Sequence, residues 1–200
     1  MAFADPFSSI PLPEIVARCD ELFNAGKGTE TGELLRRWRR KAQELGDKRN
    51  ELSLLNELIG HYRMQGDPER GREAVSAACG LIRELELSDT LSAGTILLNC
   101  ATALQSFGQN DEALSLYAES ARICEKHLPP GDKRFAGLYN NMAAAYVEKR
   151  AFKAAEGLYL QALDVLQKCG ELMDSAVTCL NLAQLYRSWN NDEELIETML

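Results

Sequence analysis

Asn140-Asn141-Met142-Ala143-Ala144-Ala145-Tyr146, then Lys149-Arg150-Ala151-Phe152, then Ala155, Leu158-Tyr159 and Ala162, is a stretch that recurs along the chain. Leu98-Asn99-Cys100-Ala101 stands 42 residues before Asn140-Asn141-Met142-Ala143, and Leu180-Asn181-Leu182-Ala183 stands 40 residues after it. Each copy places a bulky residue three positions past the alanine (Leu104, Tyr146, Tyr186) and a turn residue four positions further on (Gly108, Arg150, Asn190). Ala113 and Leu116-Tyr117 then align with Ala155 and Leu158-Tyr159. An earlier copy reads Leu58-Ile59, Tyr62, Gly66, Ala74-Val75 and Ala78, and a degenerate one reads Cys19, Leu22 and Gly26. A fixed period of this length marks a supersecondary unit that buries its apolar face only against its neighbours.

The unit is a pair of helices. Ala155, Leu158, Tyr159, Ala162, Leu163 and Leu166 recur at three and four residues, which makes one apolar stripe on an α-helix. Ala113, Leu116, Tyr117, Ala121 and Cys124 repeat that spacing. Gly66-Asp67-Pro68-Glu69 reads as a helix stop, a capping Asp, a Pro at the first helical position and an acid in the first turn. Gly108-Gln109-Asn110-Asp111-Glu112 and Asn190-Asn191-Asp192-Glu193 repeat that grammar without proline. A small residue at Ala101, Ala143 or Ala183 lets the two helices of a hairpin approach, and Tyr146 or Tyr186 fills the adjoining gap. No proline falls inside the long stretches between these turns. The chain reads as all-α, with nine or ten helices in consecutive antiparallel pairs.

Composition narrows the function. Thirty acidic against 22 basic residues give a formal charge of −8, which disfavours nucleic acid and anionic membranes as partners. No apolar run approaches the ~18 residues that span a bilayer, and Met1 to Pro6 lacks the basic start of a signal peptide, so the expected location is cytoplasmic. The six cysteines form no Cys-x-x-Cys pair and are read as reduced, structural thiols. His61 and His127 stand apart from any ligand cluster, so no metal or other cofactor is expected. No phosphate loop, catalytic carboxylate pair or nucleophile–base set appears, and the chain is read as no enzyme. The run Arg36-Arg37-Trp38-Arg39-Arg40-Lys41, flanked by Glu33 and Glu44, is read as a solvated helical face with i,i+4 ion pairs.

The Asn-x-Ala-x-x-Tyr motif of 141–146, followed by Arg150-Ala151-Phe152-x-x-Ala155, Tyr159 and Ala162, resembles a tetratricopeptide repeat. Its long period and the connector Leu128-Pro129-Pro130-Gly131-Asp132 are most similar to the long-helix subclass of kinesin light chain. The resemblance runs through 90–190, is looser over 50–85 and fades before 47. It departs at Arg150, where glycine is usual, and at Gly71, where a small alanine is usual. It implies a right-handed superhelical solenoid of antiparallel helix pairs. Residues 1–47 form a degenerate pair or cap, and 48–89, 90–131, 132–172 and 173–200 are about three and a half repeats of one continuous solenoid.

Such a solenoid binds partners on its concave face. At about 100° per residue, Asn141 points away from the packing pair Ala143 and Tyr146, together with Gly137, Ala144, Ala145 and Glu148, with Asn140 at the edge. The corresponding positions are Ser53, Asn56, Glu57, Gly60 and Arg63, then Thr95, Asn99, Thr102, Gln105 and Ser106, then Asn181, Gln184, Arg187 and Ser188. The resemblance implies that asparagines matching Asn99, Asn141 and Asn181 contact bound peptide. An amide offers both donor and acceptor to an extended backbone, although it can equally tie neighbouring helices together. A clamp for a terminal carboxylate is disfavoured, because Arg63 and Arg187 are the only cations of this face and Glu57 and Glu148 oppose one.

The expected function is therefore an interaction scaffold for an extended peptide or protein segment. A self-assembly domain, or the sensor or regulatory part of a longer protein, is the alternative. Leu195, Ile196, Met199 and Leu200 would begin an uncovered apolar stripe on a final short helix near Asp192. That arrangement suggests either a fragment of a longer protein, the favoured reading, or a homo-oligomer joined through this end.

Overall fold

The computed structural model describes residues 9–199, and side chains as far as Asn190. Among the described residues there are nine helices and no strand. The chain divides between Phe107 and Gly108 into two compact units.

The first unit holds α1 (Leu12–Asn24), α2 (Gly28–Glu44), α3 (Lys48–Gln65), α4 (Pro68–Glu84) and α5 (Leu91–Ser106). Its centre is α3, which packs against α2, α4 and α5. Leu54, Leu55, Leu58 and Ile59 on α3 are wholly buried. The turn grammar of the sequence is realised at 66–69. Gly66 adopts φ 63°, the N–H of Asp67 donates to the Tyr62 carbonyl, and the Asp67 carboxylate accepts the Arg70 N–H at 3.1 Å. A left-handed residue closes a helix in this way because the next N–H can reach a carbonyl of the last turn. The degenerate first copy follows suit, with Cys19 and Leu22 buried and Gly26 at φ 70°.

The unusual glycine of α4 has a structural cause. A Cβ on Gly71 would stand 2.4 Å from Cε2 of Phe107, so the Phe107 ring occupies the place an alanine side chain would take.

The second unit holds α6 (Asn110–His127), α7 (Arg134–Glu148), α8 (Phe152–Cys169) and α9 (Leu172–Met199). Ala143, Phe152, Ala155, Tyr159, Leu182 and Leu185 form its core around α8, with Tyr146 and Trp189 packed against them. Arg150 takes the glycine role at φ 58°, and the Ala151 N–H donates to the Tyr146 carbonyl at 2.9 Å. Its guanidinium lies 5.9 Å from the centre of the Phe152 ring.

Several expectations need correction. No turn forms at Asn190-Asn191-Asp192-Glu193, because α9 runs through it. That tetrapeptide has capping residues but neither glycine nor proline, and an asparagine inside a helix costs only about 0.7 kcal/mol. Because α9 does not turn back at 190, Ala183 and Tyr186 are exposed rather than packed among the described residues. The side chains of Leu195, Ile196, Met199 and Leu200 lie outside the described ones. At the start of α6, Gln109 rather than an Asn or Asp is the capping residue, and it makes no side-chain cap. Cys169 and Cys179 are exposed, the first at the end of α8 and the second on uncovered α9.

Candidate functional site

The face expected to meet a partner can be followed within each unit. In the first, Asn56, Glu57, Gly60 and Arg63 from α3 and Asn99 and Thr102 from α5 line one cleft of about 250 Å³. They meet because the repeat puts equivalent helices side by side. Asn99 Nδ2 donates to Asn56 Oδ1 at 2.9 Å across 43 residues of sequence, and Asn56 Nδ2 donates to Glu57 Oε1 at 3.3 Å. The asparagine amides thus tie α3 to α5, which is the alternative role the sequence left open. Each amide retains capacity beyond these bonds, since it carries two N–H donors and a two-lone-pair oxygen. With Arg63 and Glu57, the cleft displays both donors and acceptors. Thr102 Oγ1 donates to its own helix at Leu98, and Gln105 is half-buried on α5.

In the second unit the candidates divide. Asn140 Nδ2 donates to Thr178 Oγ1 at 2.9 Å, Thr178 is wholly buried, and Asn140 Oδ1 is buried without a hydrogen bond. Asn140 therefore joins α7 to α9 and lines a separate cleft with Lys133, Gly137, Asp174 and Val177. Asn141 and Asn181 are half-buried, while Glu148, Gln184 and Arg187 are exposed. Ala145, expected on the same face as Asn141, is wholly buried. Four residues further along α7, its direction has drifted about 40° from that of Asn141, far enough to turn it into the helix contact.

Charge and burial shape the remaining polar groups. The basic run of α2 is tied both along its own helix and to α3. Glu44 pairs with Lys41, three residues before it, and Arg39 crosses to Glu51 on α3 at 3.4 Å, where Gln43 also donates at 2.6 Å. His61 lies over the backbone of Gly32, where a Cβ would stand 2.5 Å from its Nε2. Burial, followed by the nearby Arg36 cation, lowers the His61 pKa below its ordinary value. Asp132 accepts from Nε and Nη2 of Arg134, each at 2.8 Å, and that pairing holds its pKa down to about 2. Sequence reasoning missed the contact of Cys79 with Cys100, where the hydrogen bond between the thiols and then burial raise the Cys100 pKa. Nothing in the spacing of α4 and α5 announces that pair. Among the described residues, no group of three or more His, Cys, Asp or Glu could hold a metal ion. No described helix is long and apolar enough to cross a membrane.

A tetratricopeptide repeat family profile matches residues 94–132 and 135–168. Over those residues the chain matches tetratricopeptide repeats. No curated protein sequence matches it, but solved structures extend the likeness beyond the matched repeats. BtubC (BKLC) of P. vanneervenii is 21% identical with a TM-score of 0.80, over 94% of this chain and 77% of that one. A Podosopora anserina protein of nearly identical TPR-like repeats, described as a kinesin light chain, is 20% identical with a TM-score of 0.80, over 98% and 94%. A signal transduction ATPase of Pyrococcus horikoshii with a tetratricopeptide repeat sensor gives 13% identity and a TM-score of 0.72, over 88% of this chain and 27% of that one. The tetratricopeptide-type solenoid, with repeats like those of kinesin light chain, is thus the fold of nearly the whole chain. Tetratricopeptide repeats are protein-interaction scaffolds and in general not enzymes.

Proposed function

We propose that this chain holds an extended peptide segment of a partner protein against the asparagine-bearing helices, with Asn56, Arg63, Asn99 and Thr102 as the contact set of the first unit. The observation that carries the reading is the cleft those residues share, in which two amides stand in series across neighbouring repeats. An extended peptide presents alternating N–H and C=O groups, and a series of amides can pair with both without reading side chains. Asn141, Asn181, Gln184 and Arg187 are the corresponding set on the helices of the second unit.

Peptides selected from a random library against the full chain test this. Binding should weaken about tenfold or more in Asn99→Ala, in line with losing hydrogen bonds to a desolvated backbone. N-methylation of the peptide at the contact positions should weaken it similarly. Selected peptides that bind Asn99→Ala and Asn56→Ala unchanged, with both variants fully helical, would overturn the reading.

Self-association is the second reading, favoured by one observation. Met173 is 80% exposed, and Val177 and Leu180 are exposed on the same face of α9. Light scattering over a range of concentrations tests it, with Val177→Glu and Leu180→Glu as the disrupting pair.

A further inference from the structure

The second cleft of the first unit lies on different helices and carries a different chemistry. Arg36, Arg39, Arg40 and Gln43 of α2 face Arg70, Glu73 and Ala74 of α4 across a cleft of about 390 Å³, with Tyr62 of α3 also in the lining. None of these residues belongs to the asparagine cleft of α3 and α5. Four guanidiniums thus converge in a chain whose formal charge is −8.

Two of the four are already engaged. Arg39 pairs with Glu51, and Arg70 pairs with Asp67 at 3.3 Å. Arg36 and Arg40 make no ion pair or hydrogen bond to a carboxylate among the described residues, and the Arg36 cation opposes protonation of the nearby His61. Arg36, Arg39 and Arg40 stand at i, i+3 and i+4 on one helix face, an arrangement in which like charges repel. Glu73 is the single carboxylate of the lining among the described residues. An incoming anion would relieve that repulsion, and guanidiniums take carboxylates with two parallel N–H···O bonds. Clefts also focus the field of such a cluster more strongly than a flat surface does.

From this we infer that the α2–α4 cleft binds a short acidic stretch of a partner polypeptide, through carboxylate side chains held by Arg36 and Arg40. A peptide fits better than a nucleic acid. The lining aromatic, Tyr62, is buried and gives no stacking platform. The acidic chain around the cleft would also repel a long polyanion, which needs an extended basic track.

The test is fluorescence anisotropy of the full chain with a labelled peptide of four glutamates in Gly-Ser flanks, and its four-glutamine counterpart. The glutamate peptide should bind, weaken as salt rises from low to physiological, and lose about tenfold or more in affinity in the Arg36→Gln/Arg40→Gln variant. These two arginines are chosen because neither holds a structural carboxylate. Circular dichroism should show the variant helical and no less thermally stable than the parent. Equal binding of the glutamine peptide, or undiminished binding by the double variant, would overturn the proposal. So would tighter binding of a single-stranded oligonucleotide at physiological salt. Asn99→Ala should leave this binding unchanged, and a loss there would return the acidic peptide to the asparagine cleft and refute the second site.

Discussion

The same motif meets two fates in this chain. On α7, Ala143 is wholly buried and Tyr146 packs against the core, because Phe152, Ala155 and Tyr159 of α8 close over them. On α9, Ala183 is exposed and Tyr186 is 40% exposed, its hydroxyl donating to Glu156 at 2.6 Å. The residues are equivalent, and so is the helix they sit on. What differs is that α7 is followed by an antiparallel partner, whereas α9 continues straight through the place where the turn was expected. A repeat motif therefore specifies a surface, and the next helix decides whether that surface becomes core.

The strongest way to break this comparison is to enlarge the small residue. Ala143→Leu adds three carbons to a closed contact and should destabilise by up to about 3 kcal/mol, as overpacking does. Ala183→Leu should change stability by less than about 0.5 kcal/mol, as is usual for exposed positions. Urea denaturation followed by circular dichroism measures both. Equal effects would mean that α9 is covered after all.

Gly71 sharpens the comparison at a second hairpin. Alanine there gains about 1 kcal/mol of helix propensity, but its Cβ meets the Phe107 ring at 2.4 Å. The clash should win and leave Gly71→Ala less stable by about 1 kcal/mol or more. Gly80→Ala, with nothing within 4 Å of the added Cβ, should instead stabilise by about 0.5–1 kcal/mol. If Gly71→Ala is also stabilising, the ring yields freely and does not replace the missing side chain.

Much of this was legible in the sequence because the apolar period and the turn residues are local signals. Gly66-Asp67-Pro68 fixes a helix end and the next helix start within three residues, and the structure follows it. The stop at Asn190 was misread for the same reason. Capping residues permit a turn, but a glycine, a proline or a packing partner is needed to force one. The candidate cleft was half legible. Helical geometry put Asn56, Asn99 and Thr102 on related faces, yet the bond between the two amides depends on how α3 and α5 settle side by side, to within an ångström. The arginine cleft was less legible still, since Arg70 comes from another helix and only packing brings it to Arg36 and Arg40.

The turns give a smaller effect. Arg150 holds a left-handed conformation at φ 58°, which costs an L-residue about 1 kcal/mol. Arg150→Gly should therefore stabilise, by less than that amount, because the contact with the Phe152 ring is lost and the unfolded chain gains freedom. Asn190→Gly, within the helical run of α9, should do the opposite by a few tenths of a kcal/mol. Thermal melts of the two variants would separate a turn from a continuing helix. Stabilisation at 190 would indicate that a turn forms there in solution.

The smallest effect lies where a neighbouring helix covers a titrating group. His61 is pressed against Gly32 of α2 and faces Arg36, and both burial and that cation favour the neutral ring. Its folded pKa lies below the unfolded value, so the unfolded chain takes up a proton more readily. The stability this supplies is complete above about pH 6.5, the ordinary histidine value, and is lost as pH falls through the folded pKa. An NMR titration of the His61 ring should give a midpoint below 6.5, moving upward in Arg36→Gln as the repelling cation goes. It should remain below the ordinary value there, because burial is the larger of the two causes and the glycine contact is untouched. A midpoint at or above the ordinary value in the parent chain would mean that α2 does not cover the ring. In that case the first unit would repeat the situation of α9, with a motif present and its cover missing.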